Sequence, residues 1–160
     1  MRQSVNLPLC NRTREEYGGW EGLRRTCTAL GLDGVEGIWS GEDIPADFPK
    51  DLLVGYHLTF FPDWLDFYRE DRKRLLSKFG SMDAVEWYYG GRTPETLVAL
   101  YQADFRRAAA LDAAYVVFHV TDVSIKENYT YRWLHTNREI IDAAAELINL
   151  LLGDAEWPFV

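Results

Sequence analysis

Thiols are few in this chain of 160 residues: Cys10 and Cys27 are its only cysteines. Their separation matches no zinc-ligand spacing, and both read as reduced side chains of a cytoplasmic protein. Positive charge is in deficit, with 17 Lys and Arg against 25 Asp and Glu and a formal charge of -8. That sign opposes a general phosphate-backbone binder, whose affinity comes from displaced counterions, and it argues against nucleic acid as a partner. No apolar run approaches the length of a membrane span, and the N-terminal MRQSVNLPL lacks a signal-peptide core. A membrane role is therefore not expected. Internal repeats, low-complexity tracts and a domain linker are missing too, which leaves a single domain as the expectation.

What the chain does have is apolar and aromatic mass. A hydrophobic fraction of 48% excludes disorder and supplies a real core. Six tryptophans and nine tyrosines are many for this length. Large core side chains account for them first, and stacking against a flat or sugar-like ligand second.

Ser4 to Leu9 reads as a short strand closed by Pro8. The spacing of Leu23, Cys27 and Leu30 predicts a helix over 15–30, stopped by Gly31. A second strand covers Asp33 to Ser40 and a third Leu52 to Phe61, and the link between them is too short for a full helix. Helix is expected over 63–78, with another turn or two over 82–89, ended by Gly90 and Gly91. Residues 62–91 thus form a helical insertion after the third strand.

Thr93-Pro94-Glu95 then opens a helix whose apolar face is Leu97, Tyr101, Phe105 and Ala108. It leads into Ala114 to Ser124, a strand apolar on both faces except for His119, as in a parallel sheet covered by helices. Thr136 and Glu139 have capping-box spacing, and Ile140, Ala144, Ile148 and Leu151 line one stripe of the helix that follows. Trp157-Pro158-Phe159-Val160 starts something apolar. Alternating strands and helices argue for a parallel sheet with right-handed crossovers.

Each strand carries one strongly polar residue in its middle or later part: Asn6, Glu36, His57 and His119. In parallel α/β sheets ligands gather at the carboxyl ends of the strands, where such groups can converge. Burying a carboxylate and two imidazoles unpaired costs several kcal/mol, roughly the penalty for buried ions and polar groups. A core histidine can instead hydrogen-bond a backbone carbonyl, Glu36 can cap a loop or pair with an arginine, and Asn6 can be structural. His135, beside the capping box, reads as a solvated helix-start residue, and Asp122 is a weaker candidate on the opposite strand face.

The order SVNLP, GLDGVEGIW, VGYHLTF and LDAAYVVFHV resembles the xylose-isomerase-like (β/α)8 barrels, which include sugar isomerases and epimerases and the endonuclease IV type of repair enzyme. The resemblance spans essentially the whole chain and rests on short motifs, above all the GLDGVE turn into strand two and YVVFH in strand four. It implies an α/β parallel barrel of TIM type. Such a barrel takes about 250 residues, so the expectation is one truncated after about four β/α units, with Pro158-Phe159-Val160 opening a fifth strand.

The resemblance further implies a divalent metal (manganese, magnesium, cobalt or zinc) and a sugar or sugar-phosphate substrate undergoing proton transfer next to a carbonyl. The acid and base glutamates are expected beyond Val160. Asn6, Glu36, His57 and His119 would then line the substrate pocket. In the endonuclease-IV-like alternative, His57 and His119 would be zinc ligands of a phosphodiesterase. The third expectation is a non-catalytic half-barrel that forms a homo-oligomer through its open sheet edges or awaits a missing C-terminal half.

Overall fold

The computed structural model describes residues 2–153, 157 and 158. Four short strands, β1 (Ser4–Pro8), β2 (Gly34–Ile38), β3 (Leu53–His57) and β4 (Val116–Val117), form one sheet in that order. Every pairing is parallel, as the alternation of elements predicts. In register, Asn6 faces Glu36, Glu36 faces Gly55, and His57 faces Val117. An irregularity between Val35 and Glu36 sets this alignment.

The chain divides into two compact units. The first holds the sheet: the chain up to Thr59 together with Ala103–Phe118. Its helices are α1 (Asn11–Glu16) and α2 (Trp20–Ala29), with the later turns of α6 (Pro94–Ala110). A single helix over 15–30 does not form. Gly18 and Gly19 take φ values of +67° and +93°, a region open to glycine and strained for other residues, and the helix breaks there. Leu23, Cys27, Val35, Tyr56, Phe105 and Ala108 are buried in this unit.

Strand β3 stops at His57 rather than reaching Phe61 because the ladder to β4 is left at Thr59. The Thr59 N–H donates to Asp104 Oδ2 at 2.6 Å, so a side chain of α6 takes the place of a ladder partner. Strand β4 is likewise shorter than the apolar run that predicts it. Its ladder to β3 includes Ala114 N–H to the Val54 carbonyl and Leu58 N–H to the Val117 carbonyl, and pairing ends there.

The second unit is helical: Phe60–Gln102 and the segment that runs from His119 through helix 137–152. It holds α3 (Leu65–Tyr68), α4 (Arg72–Phe79), α5 (Met82–Tyr89), the first turns of α6, α7 (Ile125–Thr130) and α8 (Asn137–Leu152). The stretch 63–78 is two helices, and α3 to α5 all fall within 62–91. Helix α7 was not expected, although Ser124 and Glu127 form a complete capping box at its start. Thr136 and Glu139 do the same for α8, as their spacing predicts.

Trp64, Leu65, Phe67, Val85, Leu97 and Leu147 are the buried centre of this unit, with Phe67 stacked on Tyr89 at 4.0 Å. No described helix is long and apolar enough to cross a membrane. Of the expected fifth strand, Pro158 is not in a strand, while Phe159 and Val160 lie outside the described residues.

Candidate functional site

Two places carry chemistry, one in each unit. In the sheet unit it is one face of the sheet. Alternation along a strand gives each residue a side. Tyr56 points toward α6, where its hydroxyl donates to Asp104 Oδ1 at 3.2 Å. Glu36, Gly55 and Tyr115 lie on the other side: the Tyr115 hydroxyl donates to Glu36 Oε2 at 3.0 Å and stands 3.5 Å from Ser4 Oγ.

Gly55 makes this contact possible. A Cβ built on it would come within 2.3 Å of the Tyr115 ring, so the ring crosses the strand only because no side chain is there. Glu36 itself is buried, and it is the only carboxylate carried by the four strands. Among the described residues it neither caps a loop nor pairs with an arginine, and its partner is a phenol.

Asn6 sits in register beside Glu36 and is exposed. His57 follows Gly55 by two residues, on the same side by alternation, and is buried. Its Nδ1 lies 2.9 Å from the Leu58 carbonyl oxygen. A carbonyl only accepts, so Nδ1 carries the proton in this contact. His119 falls past the end of β4, in the helical unit, where its ring packs on Phe60 with centroids 4.4 Å apart. Asn6, Glu36 and His57 therefore belong to the sheet unit and His119 to the helical one.

The helical unit buries an ionic cluster that sequence reading did not find. Lys78 Nζ stands 2.9 Å from Asp66 Oδ2 and 3.7 Å from Asp63 Oδ2. Burial alone would lower the Lys78 ammonium, but the hydrogen bond and charge of Asp66, with Asp63 and Asp122, outweigh it and hold it above its usual range. Burial pushes the Asp63 carboxyl up, against the pull of Lys78. The Tyr88 hydroxyl, which donates to Asp63 Oδ1 at 3.4 Å, is pushed up to about 12 by burial and by that carboxylate.

His135 belongs to the same cluster, and the expectation of a solvated residue is overturned. Its side chain is only 4% exposed, and Nε2–H donates to Asp66 Oδ1 at 2.9 Å. Position beside a capping box said nothing of the buried carboxylate that takes the ring. Asp122 is an anchor: Oδ1 accepts the N–H groups of Trp64 and Leu65 at 2.6 and 2.8 Å, opening α3.

Two signals could have pointed to these groups. A glycine inside a strand marks a close approach, and Gly55 is one. An acidic residue on the otherwise apolar face of α6 marks a partner, and Asp104, fully buried, holds Thr59 N–H, Tyr56 and Arg107.

Among the described residues, no three His, Cys, Asp or Glu side chains are grouped to hold a metal ion. The described donors thus do not by themselves make the ligand set of the divalent ion that the resemblance implies, and no chemical step is assigned to it. No protein-family model, curated protein or solved structure matches the chain.

Proposed function

We propose that the polar face of the sheet binds a polyhydroxylated small molecule, a sugar or sugar phosphate, for isomerase or epimerase chemistry within a xylose-isomerase-like barrel. The observation that carries this reading is the hydrogen bond from Tyr115 to Glu36 across Gly55. It keeps a buried carboxylate at the sheet surface in one orientation, with acceptor capacity left for substrate hydroxyls. Asn6 adds an amide able to donate and accept beside it, and His57 adds an imidazole two residues along the same face. The all-parallel sheet and the order of the strand motifs support the barrel.

Proton transfer next to a carbonyl needs an acid and a base on opposite faces of the substrate. Glu36 supplies one carboxylate, and the described strands hold no second. Its role in this reading is to orient substrate hydroxyls, with Tyr115 fixing the carboxylate.

Ligand-observed NMR with a panel of aldoses, ketoses and their phosphates tests the binding step. Glu36→Gln and Tyr115→Phe are expected to weaken the best ligand by roughly tenfold or more, the loss of a charged hydrogen bond. Absence of binding to every polyol, or binding indifferent to both substitutions, would reject the reading. Deuterium entry from heavy water at the carbon beside the carbonyl, with manganese, magnesium, cobalt or zinc supplied, reads the chemistry. Zinc titration with an abasic-DNA cleavage assay separates it from the phosphodiesterase suggested by the two histidines.

A further inference from the structure

A cavity of about 660 Å³ opens within the helical unit, between the end of α4, α5 and the segment that carries α7. That volume is in the range of small-molecule sites. Its walls are mainly apolar, with Phe79, Tyr88, Ile125 and Leu134 among them. Phe79 and Tyr88 set their rings 5.1 Å apart at 45°, which gives one wall a continuous aromatic surface.

The charges around the cavity are unequally committed. Both lining carboxylates are engaged. Glu127 Oε2 accepts from the Ser124 N–H and hydroxyl at 2.8 and 2.6 Å, and Oε1 accepts from the Leu134 N–H at 2.7 Å. Asp63 accepts from the Tyr88 hydroxyl and stands 3.7 Å from the Lys78 ammonium. Lys78 is itself balanced by Asp66.

Lys126 and Arg132 also line the cavity, and neither is ion-paired with any carboxylate among the described residues. Two uncommitted cations beside an apolar wall suit a ligand with an apolar body and one acidic head. A cationic ligand would face them without an available counter-charge.

We propose that this cavity binds an amphiphilic organic anion, its ring system or short chain against Phe79, Tyr88, Ile125 and Leu134 and its acidic group at Lys126 and Arg132. The site is carried by the helical unit alone and does not rest on the sugar reading of the sheet face. Carboxylates, sulfonates and phosphate monoesters share the chemistry, since Arg and Lys both take such heads through charge-assisted hydrogen bonds.

Two dyes that share one aromatic body test it on the whole chain: anilinonaphthalene sulfonate, an anion, and N-phenylnaphthylamine, its uncharged counterpart. The anion is expected to saturate one site per chain. The double variant Lys126→Gln, Arg132→Gln is expected to weaken the anion by about tenfold, the loss of its charged hydrogen bonds, and to leave the neutral dye within about twofold. Lys73→Gln, an exposed cation that does not line the cavity, is expected to change neither. Ile125→Trp, at an exposed rim position where folding is not at risk, narrows the cavity and is expected to weaken both dyes. An unsaturable response, no loss in the double variant, equal loss of both dyes, or an Ile125→Trp chain that binds as well as the parent overturns the proposal.

Discussion

The ring of Tyr115 occupies the space that a side chain on Gly55 would need, and this lets its hydroxyl reach Glu36 across the sheet. Gly55→Ala would place a methyl group within 2.3 Å of that ring. The ring must swing away or the strands must separate. Overpacking of this kind costs about 1–3 kcal/mol, read as a lower urea midpoint, and it should abolish polyol binding along with the hydrogen bond. Tyr115→Phe separates the two effects: the ring stays, stability falls by only about 1 kcal/mol, and binding alone is weakened. Equal stability for Gly55→Ala and the parent chain would show that the ring does not rest there.

His57 offers a clear choice between anchoring and binding. Its Nδ1–H already serves the Leu58 carbonyl, as a structural core histidine does. His57→Ala is expected to weaken polyol binding while leaving the melting temperature nearly in place. A large fall in melting temperature with binding unchanged would assign it to the core.

Lys78 compensates buried acids. Removing it as Lys78→Met takes the nearest cation from both Asp66 and Asp63, and leaves Asp66 with Arg74 at 3.6 Å. Breaking a buried pair in this way costs about 3–5 kcal/mol. Chemical denaturation measures it, and the triple change with Asp66→Asn and Asp63→Asn should recover much of the loss. Without recovery, the destabilisation would come from lost packing.

Acid stability should depend on Glu127. Burial alone would raise this carboxyl, but the Ser124 hydroxyl and the N–H groups of Leu134 and Ser124 outweigh it and hold it below the usual range. A depressed carboxyl contributes stability above its unfolded value and loses it as pH falls through its folded one. Asp63 has the opposite sign: raised by burial, its ionisation costs stability as pH climbs past the unfolded value. Urea midpoints from roughly pH 3 to pH 7, the range over which carboxylates titrate, should show a smaller acid loss in Glu127→Gln and a gentler decline toward neutrality in Asp63→Asn. Profiles that coincide with the parent would remove both groups from the acid response.

Among the described residues, β1 and β4 each have one neighbour in the sheet. A parallel strand edge left unpaired invites pairing with another copy. On β1, Val5 is 40% exposed while Pro8 withholds its N–H at one end. Sedimentation should reveal concentration-dependent association, reduced by Val5→Lys. A monomer at every concentration would mean the edges are protected.

The strand cores, the helix over 94–110 and the capped helix from Asn137 were legible because each rests on local rules: apolar period, N-cap chemistry and glycine stops. The alternation that put His57 and Gly55 on one side was legible for the same reason. Period alone overran the strand ends. Whether Thr59 continues a ladder depends on Asp104, which is 45 residues away in the chain.

By itself the sequence determined the strand cores, their parallel arrangement and the polar residues Asn6, Glu36 and His57 that three of them carry. Only the tertiary structure decided that Tyr115 is the partner of Glu36, that His135 is buried against Asp66, and that Lys126 and Arg132 border a cavity. Periodicity and capping act within a few residues along the chain. A buried charge or hydroxyl is satisfied by whichever group the fold brings within about 3 Å, at any distance in sequence.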